Sequence, residues 1–416
     1  MTLSADERDV LAAVDTDALV RLASDLIAIE TVNGDEVAGQ HFVEGVLAGI
    51  GADVETWSID MDALSQHEAF SAEVDHPDAL GVVGTVGDGG RTIMLNGHID
   101  VVPVGDPADW TTPPFAPSLR DGALYGRGAC DMKGGLAAAI HAVDAIVRSG
   151  VRLDGRIAIS SVIGEEDGGS GTLASLVHGI TADACIIPEP TELAVVPANG
   201  GALSFRIRIR GLSAHGATRE EGVSAIERLP IVHRALLELE RERNSREIDP
   251  LFSWMKLPFA ICAGRVRGGD WPSSEADWLE LEGRYGVAPG EELDVARREL
   301  EDAVAASALQ DEWLTAHPPT VEWWGGQFLP GRTDLDHPIV STVGGALEDA
   351  SGRPASVRGM PYGCDLGLFD RVGNIPTVVF GPGDVRHAHR PDEHVPVDDL
   401  VDCARSIALS ILRYLT

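Results

Sequence analysis

Lysine is almost missing from this 416-residue chain, where only Lys133 and Lys256 accompany many arginines. With 32 basic against 66 acidic residues the formal charge is −34, a field that repels nucleic acid and anionic membrane surfaces alike. Neither is expected as a partner, and an anionic substrate has to be held by local arginines. The lysine-poor, acidic composition fits a GC-rich or salt-adapted source. Cysteine is scarce too: Cys130, Cys185, Cys262, Cys364 and Cys403 lie far apart and form no C-x-x-C pair. That excludes a disulfide framework and a thiolate zinc site, and it fits a reducing compartment. No apolar run reaches the roughly 18 residues of a membrane helix. The first residues, Met1-Thr2-Leu3-Ser4-Ala5-Asp6-Glu7, are unlike the basic start of a signal peptide, so a cytoplasmic location is expected.

Hydrophobic residues make up 44% of the chain, enough for more than one core, and the length predicts two domains or one with a large insertion. Up to about residue 200, apolar runs at 80–86, 92–96, 156–163 and 183–187 alternate with helical spacing at 134–149 and 170–178, after helical spacing at 15–30 and 35–50. This alternation predicts an α/β domain with a mostly parallel sheet and helices on both faces. From 203 the pattern changes to strands at 203–210, 258–266, 278–285 and 319–324, with helices at 221–241 and 290–306. The order βαββαβ is that of a ferredoxin-like sandwich. A helix at 336–351, a strand within 376–383 and a closing helix from Val397 return to the first texture. The expected division is therefore 1–202 and 331–416 for one domain, with 203–330 inserted.

Five separated positions, His98, Asp131, Glu166, Glu189 and His389, each follow an apolar run or a glycine-rich turn, which points to one two-metal centre at strand ends. In extended backbone His98 and Asp100 face the same side, so Asp100 can accept the second imidazole N–H of a metal-bound His98. Asp131 precedes a helix, where a cap is the local alternative. Glu165 and Glu166 are adjacent, and irregular backbone lets one bind metal while the other stays free. Glu189 is held at a strand end by Pro190. His387, His389 and His394 compete for the last position. Two histidines and three carboxylates, with no thiolate, suit two zinc ions, with cobalt as the other choice.

The segments Gly97-His98-Ile99-Asp100-Val101-Val102-Pro103, Gly126-Arg127-Gly128-Ala129-Cys130-Asp131-Met132-Lys133, Gly164-Glu165-Glu166, Pro188-Glu189-Pro190-Thr191 and Ala388-His389-Arg390-Pro391-Asp392-Glu393 occur in this order. Together they resemble the dizinc amidohydrolase family of acetylornithine deacetylase, succinyl-diaminopimelate desuccinylase, aminoacylase and glutamate carboxypeptidase. The resemblance spans nearly the whole chain. It implies that Asp131 bridges both metals and is followed by a cis peptide. It also implies that Glu189 is a terminal ligand on the metal opposite His98 or His389, and that His389 is the last ligand. Glu165 becomes the general base, with a pKa tuned upward, and later protonates the leaving amine.

In the inserted segment, Gly211-Leu212-Ser213-Ala214-His215-Gly216-Ala217 is similar to the family's lid motif, whose histidine donates to the developing oxyanion in the partner subunit's site. A homodimer through the lid domain follows from that. Thr218 and Arg219 stand where proline is usual, and Ser224 replaces the common asparagine. Arg284 matches the lid arginine that binds a substrate carboxylate. The loop 268–274 resembles the deacetylase branch, with Ala276 in place of a proline, and Asp365 falls in a segment resembling a substrate-side loop. The resemblance implies a zinc-dependent amidase that cleaves a linear amide of a small N-acyl amino acid, in the manner of acetylornithine deacetylase. The alternatives are a desuccinylase, a carboxypeptidase or dipeptidase of the same family acting on dipeptides, and, more distantly, a catalytically silent binding protein.

Overall fold

The computed structural model describes residues 3–246 and 248–415. They divide into two compact units: the described residues up to Ala198, those of 331–359 and those from Cys364 on form the first, and the described residues of 199–330 with 360–363 form the second. Each unit has its own buried cluster, so each is described separately.

The first unit is built on a six-stranded sheet ordered Asp53–Ser58, Leu80–Val86, Gly155–Val162, Arg91–His98, Ala184–Ile187, Thr377–Val379. The last four run parallel to one another, and Leu80–Val86 is antiparallel to both of its neighbours. The central strands are continuous runs of buried residues, as parallel strands covered on both faces require. The expected runs at 80–86 and 170–178 form a strand and a helix with those bounds. The expected strand within 376–383 is Thr377–Val379, and the chain turns after it through Gly381-Pro382-Gly383. Helices Lys133–Ser149, Pro338–Ser351 and Val397–Leu415 supply much of the core through Leu136, Ile140, Val343, Leu347, Ile407 and Ile411. No described helix is long and apolar enough to cross a membrane.

Helix Lys133–Ser149 approaches the sheet's carboxyl edge more closely than a side chain would allow. A Cβ at Gly135 would lie 1.8 Å from the Pro188 carbonyl oxygen, which is backbone and cannot turn aside. Gly135→Ala is therefore expected to destabilise the fold by about 1–3 kcal/mol, the range of overpacked sites, and to displace the turn carrying Glu189. A urea midpoint equal to that of the wild type would contradict this account of the contact.

The second unit is a four-stranded antiparallel sheet in the order Ile261–Gly268, Trp278–Val287, Gly201–Arg210, Thr320–Phe328. With helices Ala225–Arg243 and Leu293–Ala308 this is the βαββαβ arrangement. Phe205, Ile207, Leu281 and Tyr285 face helix residues Val232, Leu236, Leu300 and Val304 in one cluster. Arg206 and Arg208 pair with Glu282 at 2.7 Å and Glu280 at 2.8 Å across the strands. The first helix begins at Ala225 rather than 221, since Gly216–Glu221 forms a 3-10 turn and Gly222 is extended.

Candidate metal centre

Four neighbouring strands end along one edge of the first unit's sheet, and each brings a donor there. His98 closes Arg91–His98, Glu165 and Glu166 follow Gly155–Val162, Glu189 follows Ala184–Ile187, and His389 comes from the loop beyond Thr377–Val379. Ligand sites of α/β sheets gather at this edge because the chain there leaves the sheet as loops. Asp131 stands just before helix Lys133–Ser149, which has Met132 as its N-cap residue and no side-chain cap bond. The peptide Asp131–Met132 is cis.

Asp131 turns one oxygen toward each histidine. Its Oδ1 lies 3.2 Å from His98 Nε2 and its Oδ2 lies 3.4 Å from His389 Nε2. Glu189 Oε1 joins the His98 side at 3.4 Å, and Glu166 Oε2 joins the His389 side at 3.0 Å. Two donor sets, His98–Asp131–Glu189 and His389–Asp131–Glu166, thus share one carboxylate. Glu165 is the fourth carboxylate, 4.0 Å from His98 Nε2. The His98 side is sealed, with no exposure of the imidazole, while the His389 side chain is 51% exposed.

The charges explain what such a cluster needs. Burial, then the Asp131 charge, push Glu189 up to about 8. Burial, then the Glu189 charge, hold Glu165 well above the usual carboxylate range. Burial opposes ionisation of Asp131 as well, but hydrogen bonds from His389 and His98 outweigh it and keep its pKa low. Burial works against protonated His389, yet Asp131 and Glu166 raise it to about 11. Among the described residues no lysine or arginine pairs with these four carboxylates. Nitrogen and carboxylate donors packed without a compensating lysine or arginine fit divalent metal.

Asp100 differs from the sequence expectation. The proton on His98 Nδ1 is directed at the Asp100 main-chain oxygen, 2.9 Å away, whereas the nearer carboxylate oxygen is 3.6 Å away. The strand ends at His98, so strict alternation does not carry on to Asp100. Its buried carboxylate instead accepts the amides of Glu165 at 3.3 Å and Glu166 at 3.0 Å. Asp100 therefore orients His98 through its backbone and the Glu165-Glu166 turn through its side chain.

Sequence reasoning gave no role to Glu393 or Arg127, although both lie in the quoted motifs. Glu393 is fully buried, and its Oε1 accepts the amides of Cys130 and Asp131, each at 3.0 Å. Its Oε2 takes a 2.5 Å bond from Arg127, which lies over the Trp110 ring. The pair fixes the backbone that aims Asp131. A lone arginine within a glycine-rich run was the available signal. His387 stays outside the cluster, its ring 4.2 Å from that of His394. Asp365 is buried and accepts from Thr172 at 2.5 Å and Asn96 at 3.1 Å.

His215 and Arg284 belong to the second unit. His215 is exposed, and its Nδ1 accepts the Ala217 amide at 3.1 Å, which leaves Nε2 to carry the proton of a neutral ring and act as a donor. Arg284 donates to the Pro361 carbonyl at 2.7 Å, and burial lowers its pKa. Unlike Arg206 and Arg208, it meets no carboxylate among the described residues.

The model of Peptidase family M20/M25/M40 matches residues 94–413. The chain belongs to this family. M20 members are metal-dependent hydrolases of amide bonds, and the chain is an enzyme of that class. Among its relatives, the N-formyl-4-amino-5-aminomethyl-2-methylpyrimidine deformylase of Halalkalibacterium halodurans is 28% identical, over 98% of this chain and 97% of its own. The acetylornithine deacetylase of Edwardsiella ictaluri is 32% identical, over 77% of this chain and 79% of its own. The structure of the di-peptidase Dug1p from Saccharomyces cerevisiae superimposes with a TM-score of 0.76 at 15% identity, covering 98% of both chains. It shares the fold.

Proposed function

We propose that this M20 hydrolase is a two-metal deacylase that cleaves the linear amide of a small N-acyl amino acid. The observation that carries the reading is Asp131, one oxygen toward each histidine, with the raised carboxyl of Glu165 4.0 Å from His98 Nε2. His98, Asp131 and Glu189 would hold one zinc, and His389, Asp131 and Glu166 the other. When bound, such ions polarise the amide carbonyl and lower the pKa of water. Glu165 takes the proton of the attacking water and returns it to the departing amine nitrogen, a cycle that its raised pKa suits. His215 Nε2 is the proposed donor to the developing oxyanion, supplied across a homodimer as the lid resemblance implies. A monomer with full activity in sedimentation would remove that role.

Arg284 favours an acyl amino acid, because a guanidinium without a carboxylate partner is a receptor for one. A second reading comes from the deformylase, which matches nearly the full chain and whose named pyrimidine substrate carries no carboxylate. The deciding experiment is metal content by mass spectrometry on chelator-free protein, with hydrolysis of N-acetyl amino acids including ornithine, N-succinyl-diaminopimelate, the N-formyl aminomethylpyrimidine and dipeptides. Arg284→Leu is expected to raise KM for the carboxylate-bearing substrates by roughly 10–100-fold, the loss of a charge-assisted pair worth about 1.5–3 kcal/mol. An unchanged KM, together with turnover of the formyl pyrimidine, would move the assignment to the second reading. No turnover of any amide by protein holding two metals would point to a silent binding member.

A further inference from the structure

Behind the turn that carries Glu165 and Glu166 lies a buried cluster that no metal-binding motif includes. His76 has no exposed side-chain surface, and both of its ring nitrogens face carboxylates. Nδ1 lies 3.2 Å from Glu36 Oε1, and Nε2 lies 3.3 Å from Asp167 Oδ2. A neutral imidazole offers one N–H, so serving both carboxylates takes the imidazolium. Burial alone lowers the imidazole pKa, but the hydrogen bonds and charges of Asp167 and Glu36 overcome it and raise it to about 10.

The cluster joins three stretches of chain. Asp167 Oδ2 also accepts the amides of Glu73 at 2.9 Å and Val74 at 3.1 Å, and Glu36 Oε1 accepts the amide of Gly34 at 2.6 Å. Gly164 opens the turn with φ at +59°, and a Cβ there would stand 3.0 Å from His76 Nε2 and 2.5 Å from Ser170 Oγ. The turn is thus held from two sides, by Asp100 through the Glu165 and Glu166 amides and by His76 through the side chain of the next residue, Asp167.

We infer that His76 is a positioning residue, whose charged ring clamps Asp167 against Glu36 and thereby sets where Glu165 and Glu166 stand relative to Asp131 and His389. His76 is not among the residues that would hold the ions. Losing a group that orients a ligand from behind typically costs 10–100-fold in metal affinity or activity. The inference rests on the two-metal reading above and deepens it.

The test is Co²⁺ titration of the metal-free protein, followed by its visible absorption, with kcat and KM on the best amide of the panel. In His76→Gln the new amide can donate to one carboxylate and must turn its oxygen to the other. A folded His76→Gln is expected to bind the second Co²⁺ at least about tenfold more weakly than wild type while keeping the first. Its kcat should fall by at least about tenfold with KM within about twofold. A second variant, Asp167→Asn, keeps an oxygen for the Glu73 and Val74 amides and loses the charge, and it should show the same signature. The double variant should be no worse than the poorer single one, as coupled residues behave. Wild-type kcat and wild-type affinity for both ions in a folded His76→Gln would overturn the inference. If that variant does not fold, the same result in Asp167→Asn overturns it. A lowered Tm with both ions bound normally would mean a purely structural contact and would overturn it as well. Wild-type protein that binds fewer than two Co²⁺ would instead overturn the two-metal reading, before any variant is compared.

Discussion

Glu165→Gln is expected to lower kcat/KM by roughly 10²–10⁴-fold while leaving both metals in place, the loss typical of a general acid–base group. Asp131 at 3.2 Å and Glu189 at 3.4 Å stand closer to His98 Nε2 than Glu165 does at 4.0 Å. Yet the separation is small, and His98, Glu165 and Glu189 can bring donor atoms within 4.8 Å of one another. Geometry alone therefore leaves a competition between Glu165 as ligand and Glu165 as base. The substitution decides it, because glutamine preserves the shape and removes the proton-accepting carboxylate. Metal content measured beside the rate separates the two roles: a variant that loses one metal makes Glu165 a ligand, and one that keeps its rate has another base. The Asp100 carboxylate holds the Glu165 and Glu166 amides, so the turn itself has a reason to survive the change.

The parts of this molecule that were legible in its sequence are those fixed by local pattern. Strands buried in the middle of the sheet are continuous apolar runs, and 80–86, 92–96 and 183–187 stand out for that reason. The edge strand Asp53–Ser58 is half-exposed and mixes acidic residues with Trp57, so its pattern is weak. Helix Ala5–Ala13 was missed likewise, since Val10 is its one buried residue and charges dominate the rest. At the centre, motif order and glycine-rich turns marked His98, Asp131, Glu166, Glu189 and His389 as candidates. Their pairing was not legible: Glu189 stands opposite His98 because Ala184–Ile187 is the sheet neighbour of Arg91–His98, a fact of strand order. Arg127, Glu393 and His76 act through partners distant in sequence, and no spacing rule reaches them. Strand alternation does not reach Asp100, two residues past the end of its strand, and its carboxylate faces the Glu165-Glu166 turn.

Asp131→Ala should have the widest consequence of any single change, because it removes a donor from both sets at once. Loss of both metals at micromolar concentration is expected, with a fall in kcat/KM greater than the roughly 10–100-fold that follows loss of a group behind a ligand. Glu189→Gln is the comparison. It leaves His389, Asp131 and Glu166 together, and it should release one metal and retain the other. Thermal stability supplies a readout independent of turnover: an ion bound at a thousand times its Kd stabilises the fold by about 4 kcal/mol. Zinc should therefore raise the Tm of the wild type, raise that of Glu189→Gln less, and leave that of Asp131→Ala where it was. The graded series follows from geometry, since Glu189 faces one histidine and Asp131 faces two. Equal metal content and equal Tm shifts in the two variants would mean that Asp131 serves one side alone, and the centre would then have to be rebuilt around separate rather than shared ligands.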